Sequence, residues 1–359
     1  MAFTGNGSGG GGGANDRSES LLSSSQPNDD YYSKNHNDST SRHSTSLGTN
    51  QGSEMIDPAD DGAYKLDDDG QRGTPTSDDG SEVDVYFVKQ RRGYCSILFS
   101  LVQTIILVVM MWQCGVAPLN INPMVGPYPD ALNYWGAKNS VLIIDDGEWW
   151  RLLTPILLHA GVIHLLCNVG VQLETGAFFE REWGSAKWLI VYLTSAIGSS
   201  CLSTIFMPGN ISVGSSGSVC GLFGAKLSEV FCRICESRRT SQGRIGHEVR
   251  MEQCRGVMCS VVLIGLFSFI PFVDWAAHLG GFLAGLVVGL MIFSFSVGNR
   301  WWVGIWFLVG LVLTVVFYTV SLKYMYNEVE PPEEMRDVCG YYKQFFEDYE
   351  CNCQLNDGR

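Results

Sequence analysis

From residue 94 to about residue 326 the chain is a succession of apolar runs, each near the ~20 residues that a helix needs to cross a bilayer. No other feature narrows the possible folds as much. In hydrocarbon, backbone polar groups must be satisfied within the spanning structure, so runs of this length become helices packed side by side. The expected fold is all-α: a polytopic membrane bundle of seven transmembrane helices with a disordered N-terminal tail. The spans fall at about 94–112, 153–176, 187–207, 213–231, 256–270, 275–297 and 301–322.

The ends of the chain differ sharply from this middle. Residues 1–93 are polar, with five consecutive glycines at 9–13 and acidic runs at 67–69 and 78–79, and they are expected to form a disordered cytosolic tail. Thr76-Ser77-Asp78-Asp79 offers a phosphorylation match of the kind such tails produce by chance. Residues 323–359 are acidic, and like charge there favours solvation over folding. The net charge of −13 resides largely in these tails and says little about partners. No basic stripe with interleaved aromatics points to nucleic acid. No apolar run precedes residue 94, so no cleavable signal peptide is read and the first span is expected to serve as its own insertion signal.

Positive charge sets the expected orientation. Lys89, Arg91 and Arg92 stand before the first span, six arginines (233, 238, 239, 244, 250, 255) lie between spans four and five, and Arg300 precedes span seven. Loops 208–212 and 271–274 carry no basic residue. The N-terminus is therefore expected in the cytosol and the C-terminus in the lumen or outside the cell. The domains read as a tail at 1–93, a six-span core at 94–297, a seventh span at 298–322 and an outer tail at 323–359. Cys339, Cys351 and Cys353 then lie in an oxidising compartment, where at least one disulfide is expected, with Cys114 a further candidate. Cys95, Cys167, Cys201, Cys220 and Cys259 fall in spans and act there as small apolar residues. Cys232 and Cys235, with His247 and Cys254, lack the second paired spacing of a zinc site, which favours lipidation or no role. Asn210-Ile211-Ser212 matches a glycosylation acceptor but sits too close to the membrane for use.

Spans four and six both enter from the outer side, which places Ser216 and His278 at one shallow depth. Gly217, Gly221 and Ala225 on one span and Gly281, Gly285 and Gly289 on the other form small-residue ridges that let membrane helices approach closely. A histidine inside a membrane is a functional hypothesis by default. A neutral imidazole beside a serine hydroxyl can take its proton during attack on an amide carbonyl. The nearest acid, Asp274, lies one turn outward, so a Ser216–His278 dyad is expected. Span two supplies His159, His164 and Asn168. His164 and Asn168 are four apart and share a helix face, and with the Ser216 backbone N–H they could hold a developing oxyanion. As metal ligands the three make a poor set, because asparagine is weak and no acidic partner is near. No metal or cofactor is expected.

These residues together resemble the rhomboid intramembrane serine proteases, from Trp150-Arg151 through His278. Gly214-Ser215-Ser216-Gly217 is similar to the family's G-x-S-G nucleophile motif. Ala277-His278-Leu279-Gly280-Gly281 resembles its catalytic-histidine motif, followed by the glycine ridge that includes Gly285. His159 and the H-x-x-x-N of His164 to Asn168 resemble the span-two motif, whose last two residues line the oxyanion site in the family. Trp150-Arg151 is similar to a structural pair in the first outer loop, and Glu180 with Gly184 to the turn before span three. The span after the core looks like the secretase-type class of the secretory pathway (Golgi, plasma membrane or endosomes). One position departs: four residues after Ser216, where the family often has an aromatic stacked on the histidine, this chain has Cys220.

The resemblance implies an intramembrane serine endopeptidase. It would cut single-span membrane proteins at or near the outer face through a covalent acyl-enzyme, with lipid and client helix as its partners. The sequence gives no oligomeric state. The rival reading is a catalytically weak or inactive client-binding protein. A transporter would need charge deeper in the spans, and Lys226 and Glu229 lie toward the cytosolic end of span four.

Overall fold

The computed structural model describes residues 2–3, 92–234, 241–268 and 273–353. The expectations for most of the N-terminal tail, for Thr76–Asp79 and for Cys235 lie outside the described residues. Within them the chain forms seven long helices: α1 (Tyr94–Cys114), α2 (Val162–Trp183), α3 (Ser185–Phe206), α4 (Ser216–Arg233), α5 (Ser241–Phe267), α6 (Trp275–Phe293) and α7 (Arg300–Glu328). Five of them, α1, α2, α3, α6 and α7, are long and apolar enough to cross a membrane by length and composition. The exceptions are α4, which carries Lys226 and Glu229, and α5, which begins in a polar stretch.

The centre of the bundle is α4, buried on nearly every side from Gly217 to Val230. It lies so close to α6 that a Cβ built on Gly281 would collide with the Gly217 carbonyl, and one on Gly285 with that of Gly221. A Cβ on Gly224 would strike the Phe282 carbonyl, so the approach is tight from both sides. On the third side Ser199 and Ser195 of α3 fill the space beside Gly217 and Gly221. The inner end of α4 is pinned by charge. Lys226 Nζ donates to Glu182 at 2.7 Å and to Glu229 at 2.8 Å, and Trp183 Nε1 donates to Glu229 at 2.9 Å.

Span two differs from the expectation of a helix at 153–176. Thr154–Leu157 is a 3₁₀ turn and Leu158 is extended, so the helix starts only at Val162. His159 therefore lies in the approach to α2 and not within it. The expected charged turn at Glu180 is instead the last helical turn, which stops at Gly184 with φ +87°, a conformation that suits glycine. Glu180 has a reason to stay there. Its carboxylate accepts from the N–H groups of Cys95 and Ser96 at 2.8 Å each and from Ser185 Oγ at 2.6 Å. It thus satisfies free donors at the start of α1, which has no side-chain cap of its own. Deeper in, Tyr192 OH donates to Gln172 Oε1 at 2.6 Å, and Gln172 donates to Ser100 Oγ at 2.8 Å. This buried network ties α3, α2 and α1 together.

The acidic C-terminal segment, expected to stay solvated, is ordered through residue 353. Met335, Val338, Tyr342 and Tyr349 are buried in one cluster with the loop between α1 and α2. Tyr349 OH donates to Asp130 at 2.7 Å, Asn139 donates to the Met335 carbonyl at 2.8 Å, and disulfides join Cys114 to Cys353 and Cys339 to Cys351. Buried aromatic area and two cross-links outweigh the like charge, which is only part of the segment's composition. Ala2–Phe3 pairs antiparallel with Ile211–Ser212. With α1, α2 and α3 all spanning, the two segments fall on opposite sides of a bilayer in either orientation, so this pairing does not bear on which side is cytosolic.

Replacing Gly285 by Val should be more damaging than replacing Leu283 by Val. Overpacking at a helix contact costs about 1–3 kcal/mol even for modest added volume, and here the added atoms meet backbone. Thermal unfolding in detergent should show a large fall in midpoint, or no folded protein, for Gly285→Val alone.

Candidate active site

The loop from α3 to α4 ends on Gly214, whose φ of +123° only glycine adopts without strain. Its N–H donates to the Pro155 carbonyl at 2.9 Å. A Cβ there would also lie 2.8 Å from Cε1 and 3.0 Å from Nε2 of His164, so the glycine is required twice. The chain then turns into α4, and Ser216 is its first residue. The Ser216 N–H therefore has no partner within the helix, and it sits at the positive end of the helix dipole.

Asp274 caps α6 by accepting from the Ala277 N–H at 2.8 Å, which places His278 one turn in. The glycine contact between α4 and α6 then brings the side chains together: His278 Nε2 lies 2.9 Å from Ser216 Oγ. The other ring nitrogen, Nδ1, lies 2.8 Å from Ser268 Oγ near the end of α5. Asp274 does not touch the imidazole. Its carboxylate accepts from Ser203 Oγ at 2.5 Å and faces Lys138, which is buried and donates to the carbonyls of Met207 and Asn210 at 2.8 and 2.9 Å. Burial opposes ionisation of Asp274, but the Lys138 ammonium and the hydrogen bonds outweigh it and hold the carboxyl below its ordinary range. Burial in turn pushes the Lys138 ammonium down to about 8, against the pull of Asp274.

The residues of the second helix divide. Ala160 N–H donates to His164 Nδ1 at 3.3 Å, so the proton of a neutral His164 sits on Nε2, the nitrogen beside Gly214. Asn168 uses one amide hydrogen on the His164 carbonyl at 2.9 Å and accepts from Ser215 Oγ at 3.3 Å, leaving a second hydrogen to donate. His159 is fully buried, edge-on to His164 with ring centroids 5.3 Å apart, and neither ring nitrogen has a hydrogen-bond partner among the described residues. Burial drives it down to about 3, so it is neutral and supports His164 by packing. Arg151 is also buried and holds the loop between α1 and α2 together, donating to the carbonyls of Asn133 and Ala137 at 2.8 and 2.9 Å. Trp150 beside it is exposed and meets Trp149 edge-on. Gly217, Gly281 and Gly285 form the helix contact already described.

Asn168, Ser216, Cys220 and His278 line one cavity of about 170 Å³, bordered also by Val171 of α2 and Ile264 of α5. Behind Ser216 a small polar space of about 20 Å³, bordered by Ser199, Ser200, Ser203 and Ser212, has room for about one water. A hydroxyl on an imidazole, N–H donors around a shared cavity and a nearby place for water can together support acyl transfer. Sequence reasoning missed Ser268 and the Lys138–Asp274 pair. The one available signal was a hydroxyl standing one turn from the end of an apolar run.

Removing the Asp274 charge should loosen the N-terminal end of α6. Because the folded carboxyl is depressed, its stabilisation is present above its ordinary value of 3.8 and is lost as pH falls through the lower folded value. Asp274→Asn should lower the thermal midpoint at neutral pH, with breakage of a buried pair costing about 3–5 kcal/mol at most. It should also flatten the acid limb of the stability profile. The depressed value of Lys138 likewise makes stability rise with pH, in a higher window: its buried charge is a cost below pH about 8, relieved as pH climbs from there toward its ordinary 10.5.

A family model for the rhomboid domain matches residues 146–295, the stretch from the loop between α1 and α2 to just past the end of α6. RHOMBOID-like protein 4 of Arabidopsis thaliana is 34% identical over 174 residues, covering 48% of this chain and 41% of that protein. Rhomboid protease GluP of Bacillus subtilis is 33% identical over 156 residues, 44% of this chain and 28% of that one. Rhomboid-like protease 3 of Toxoplasma gondii is 34% identical over 144 residues, 39% and 51% respectively. The chain thus spans about half, or less, of the length of these curated relatives. Residues 146–295, which contain Ser216, His278, His164 and Asn168, are thus similar to the rhomboid domain.

Proposed function

We propose that the protein is an intramembrane serine endopeptidase acting on single-span membrane proteins at or near the outer face. The observation that carries the reading is the 2.9 Å approach of His278 Nε2 to Ser216 Oγ, made by residues from two helices that meet through glycine. Ser216 attacks the scissile carbonyl while His278 takes its proton, and the C–N bond breaks as the proton passes to the leaving nitrogen. Water then hydrolyses the ester and regenerates the hydroxyl. The oxyanion is held by the Ser216 N–H at the start of α4, by His164 Nε2–H and by the free amide hydrogen of Asn168. A client helix enters from the side, toward the cavity bordered by Val171 and Ile264, and must unwind to present an extended bond.

The orientation with Ser216 and His278 toward the lumen or cell exterior draws support from chemistry independent of positive charge. Cys114 ends α1 and pairs with Cys353 of the C-terminal segment, and disulfides persist on the oxidising side of a membrane. With α7 following the core, the reading is a secretase-type rhomboid of the secretory pathway, its catalytic core at 94–297. The open edge at Ile211–Ser212, which Ala2–Phe3 occupies here, is in that orientation available to an extended segment arriving from the outer side.

The test is co-expression with a tagged single-span reporter whose outer half carries helix-breaking residues. Wild type should release a soluble fragment, and Ser216→Ala should reduce release by at least about 10³-fold, as loss of a nucleophile does in serine hydrolases. Client binding without cleavage by either form would replace the proteolytic reading with one of client capture.

A further inference from the structure

His278 lacks both of the supports that a catalytic imidazole ordinarily has. Asp274 is committed to Ser203 and to its own helix, and among the described residues no aromatic ring is stacked on His278. On the side where Cys220 stands there is instead an apolar cavity of about 340 Å³, which Phe223, Trp275 and Phe282 share with His278 and Ser268. A ring beside open space is free to tilt and to exchange tautomers unless its nitrogens are held.

We propose that Ser268 is the positioning residue that holds His278, fixing both its ring plane and its tautomer. The inference rests on the proteolytic reading and adds a third member to its machinery. The hydrogen-bond inventory identifies the tautomer. Ser268 Oγ is 2.7 Å from the Ile264 carbonyl, four residues back on the same helix, and 2.8 Å from His278 Nδ1. A serine hydroxyl has one hydrogen and two lone pairs. With its hydrogen on the Ile264 carbonyl, Ser268 presents a lone pair to Nδ1, so Nδ1 carries the ring proton and donates. Nε2 is then bare and faces Ser216 Oγ, as a general base must. In this arrangement the protons of Ser216, of Nδ1 and of Ser268 each have an acceptor within 3 Å. The opposite tautomer strips the Ile264 carbonyl of the Ser268 hydroxyl and leaves the Ser216 proton without this acceptor, while Nε2 can no longer take it.

The same relay serves the charged intermediate. When Nε2 gains the Ser216 proton, Nδ1–H remains bound to an oxygen whose own hydrogen lies on a carbonyl. A chain of dipoles then faces the imidazolium where other serine hydrolases place a carboxylate. A neutral partner avoids burying an anion at this depth, which is costly in a membrane. Ser268 directly follows the last residue of α5, whereas Ser216 and His278 stand on α4 and α6. The base is therefore set only while the end of α5 is seated, since a displacement of about 1 Å would carry the bond beyond hydrogen-bonding range.

The experiment uses the full chain in detergent or bilayer with the same reporter, comparing wild type, Ser216→Ala, Ser268→Ala and Ser268→Thr. Ser268→Ala should lower kcat by about 10- to 100-fold, less than the roughly 10²- to 10⁴-fold that a general base itself contributes because the base remains, with KM changed less than about twofold. Ser268→Thr, which keeps the hydroxyl, should restore most of the rate. In parallel, ¹⁵N spectra of histidine-labelled protein report ring protonation directly, with His278 assigned by its loss in His278→Ala. Wild type should show protonated Nδ1 and bare Nε2, and Ser268→Ala a mixture. A wild-type His278 carrying its proton on Nε2 would overturn the proposal, as would Ser268→Ala cleaving at the wild-type rate while Ser216→Ala is dead. If wild type fails to cleave but shows the Nδ1–H form, lost in Ser268→Ala, the proteolytic reading falls and the role of Ser268 stands.

Discussion

The contact on which everything else depends is the backbone approach of α4 to α6. Gly281 and Gly285 rest directly on the carbonyl oxygens of Gly217 and Gly221. No hydrophobic effect drives helices together in lipid, so close van der Waals contact and shared polar groups must do so. Glycine permits that contact here, and the consequence is chemical as well as structural. Side chains one turn from the crossing reach across it, and Ser216 meets His278. An extra methyl group at the crossing would separate them by more than a hydrogen bond tolerates.

Depth along the helices is set from outside the bundle. Asp274 caps α6 and is tied through Ser203 to α3, while Lys138 ties the loop between α1 and α2 to the end of α3. Arg151 holds that loop to itself, and the C-terminal segment is fastened over it by Tyr349, Asp130 and two disulfides. At the opposite end Glu180 and the Lys226 network fix α1, α2 and α4 to one another. The central helix is thus pinned toward its C-terminal end, and its neighbour α6 is capped at its start. The hydroxyl beside His278 Nδ1 comes from a third element, Ser268 at the end of α5.

Much of the site was legible in the sequence because it depends on patterns that survive without coordinates. Apolar length gave the helices, alternation of entry side gave Ser216 and His278 a common depth, and four-residue spacing of small residues supplied the means of contact. Hydropathy could not place the start of α2, since Leu, Ile and Pro at 152–158 are as apolar in a 3₁₀ turn as in a helix. Charge misled at the C-terminal segment, where the decisive terms were buried tyrosines and cross-links whose pairing no spacing reveals. Ser268 was invisible for a different reason. Its importance lies in the geometry of a third helix, and a lone hydroxyl in an apolar run ordinarily bonds only its own backbone.

The most direct measurement is covalent labelling with a serine-directed fluorophosphonate, followed by mass-spectrometric mapping of the adduct. Serine hydroxyls are abundant in this protein, and only one activated by an imidazole should react rapidly. The account predicts a single fast adduct on Ser216, abolished by His278→Ala and lost again when Gly285→Val forces α4 and α6 apart. An adduct on another serine, or labelling of Ser216 at an unchanged rate without His278, would contradict it.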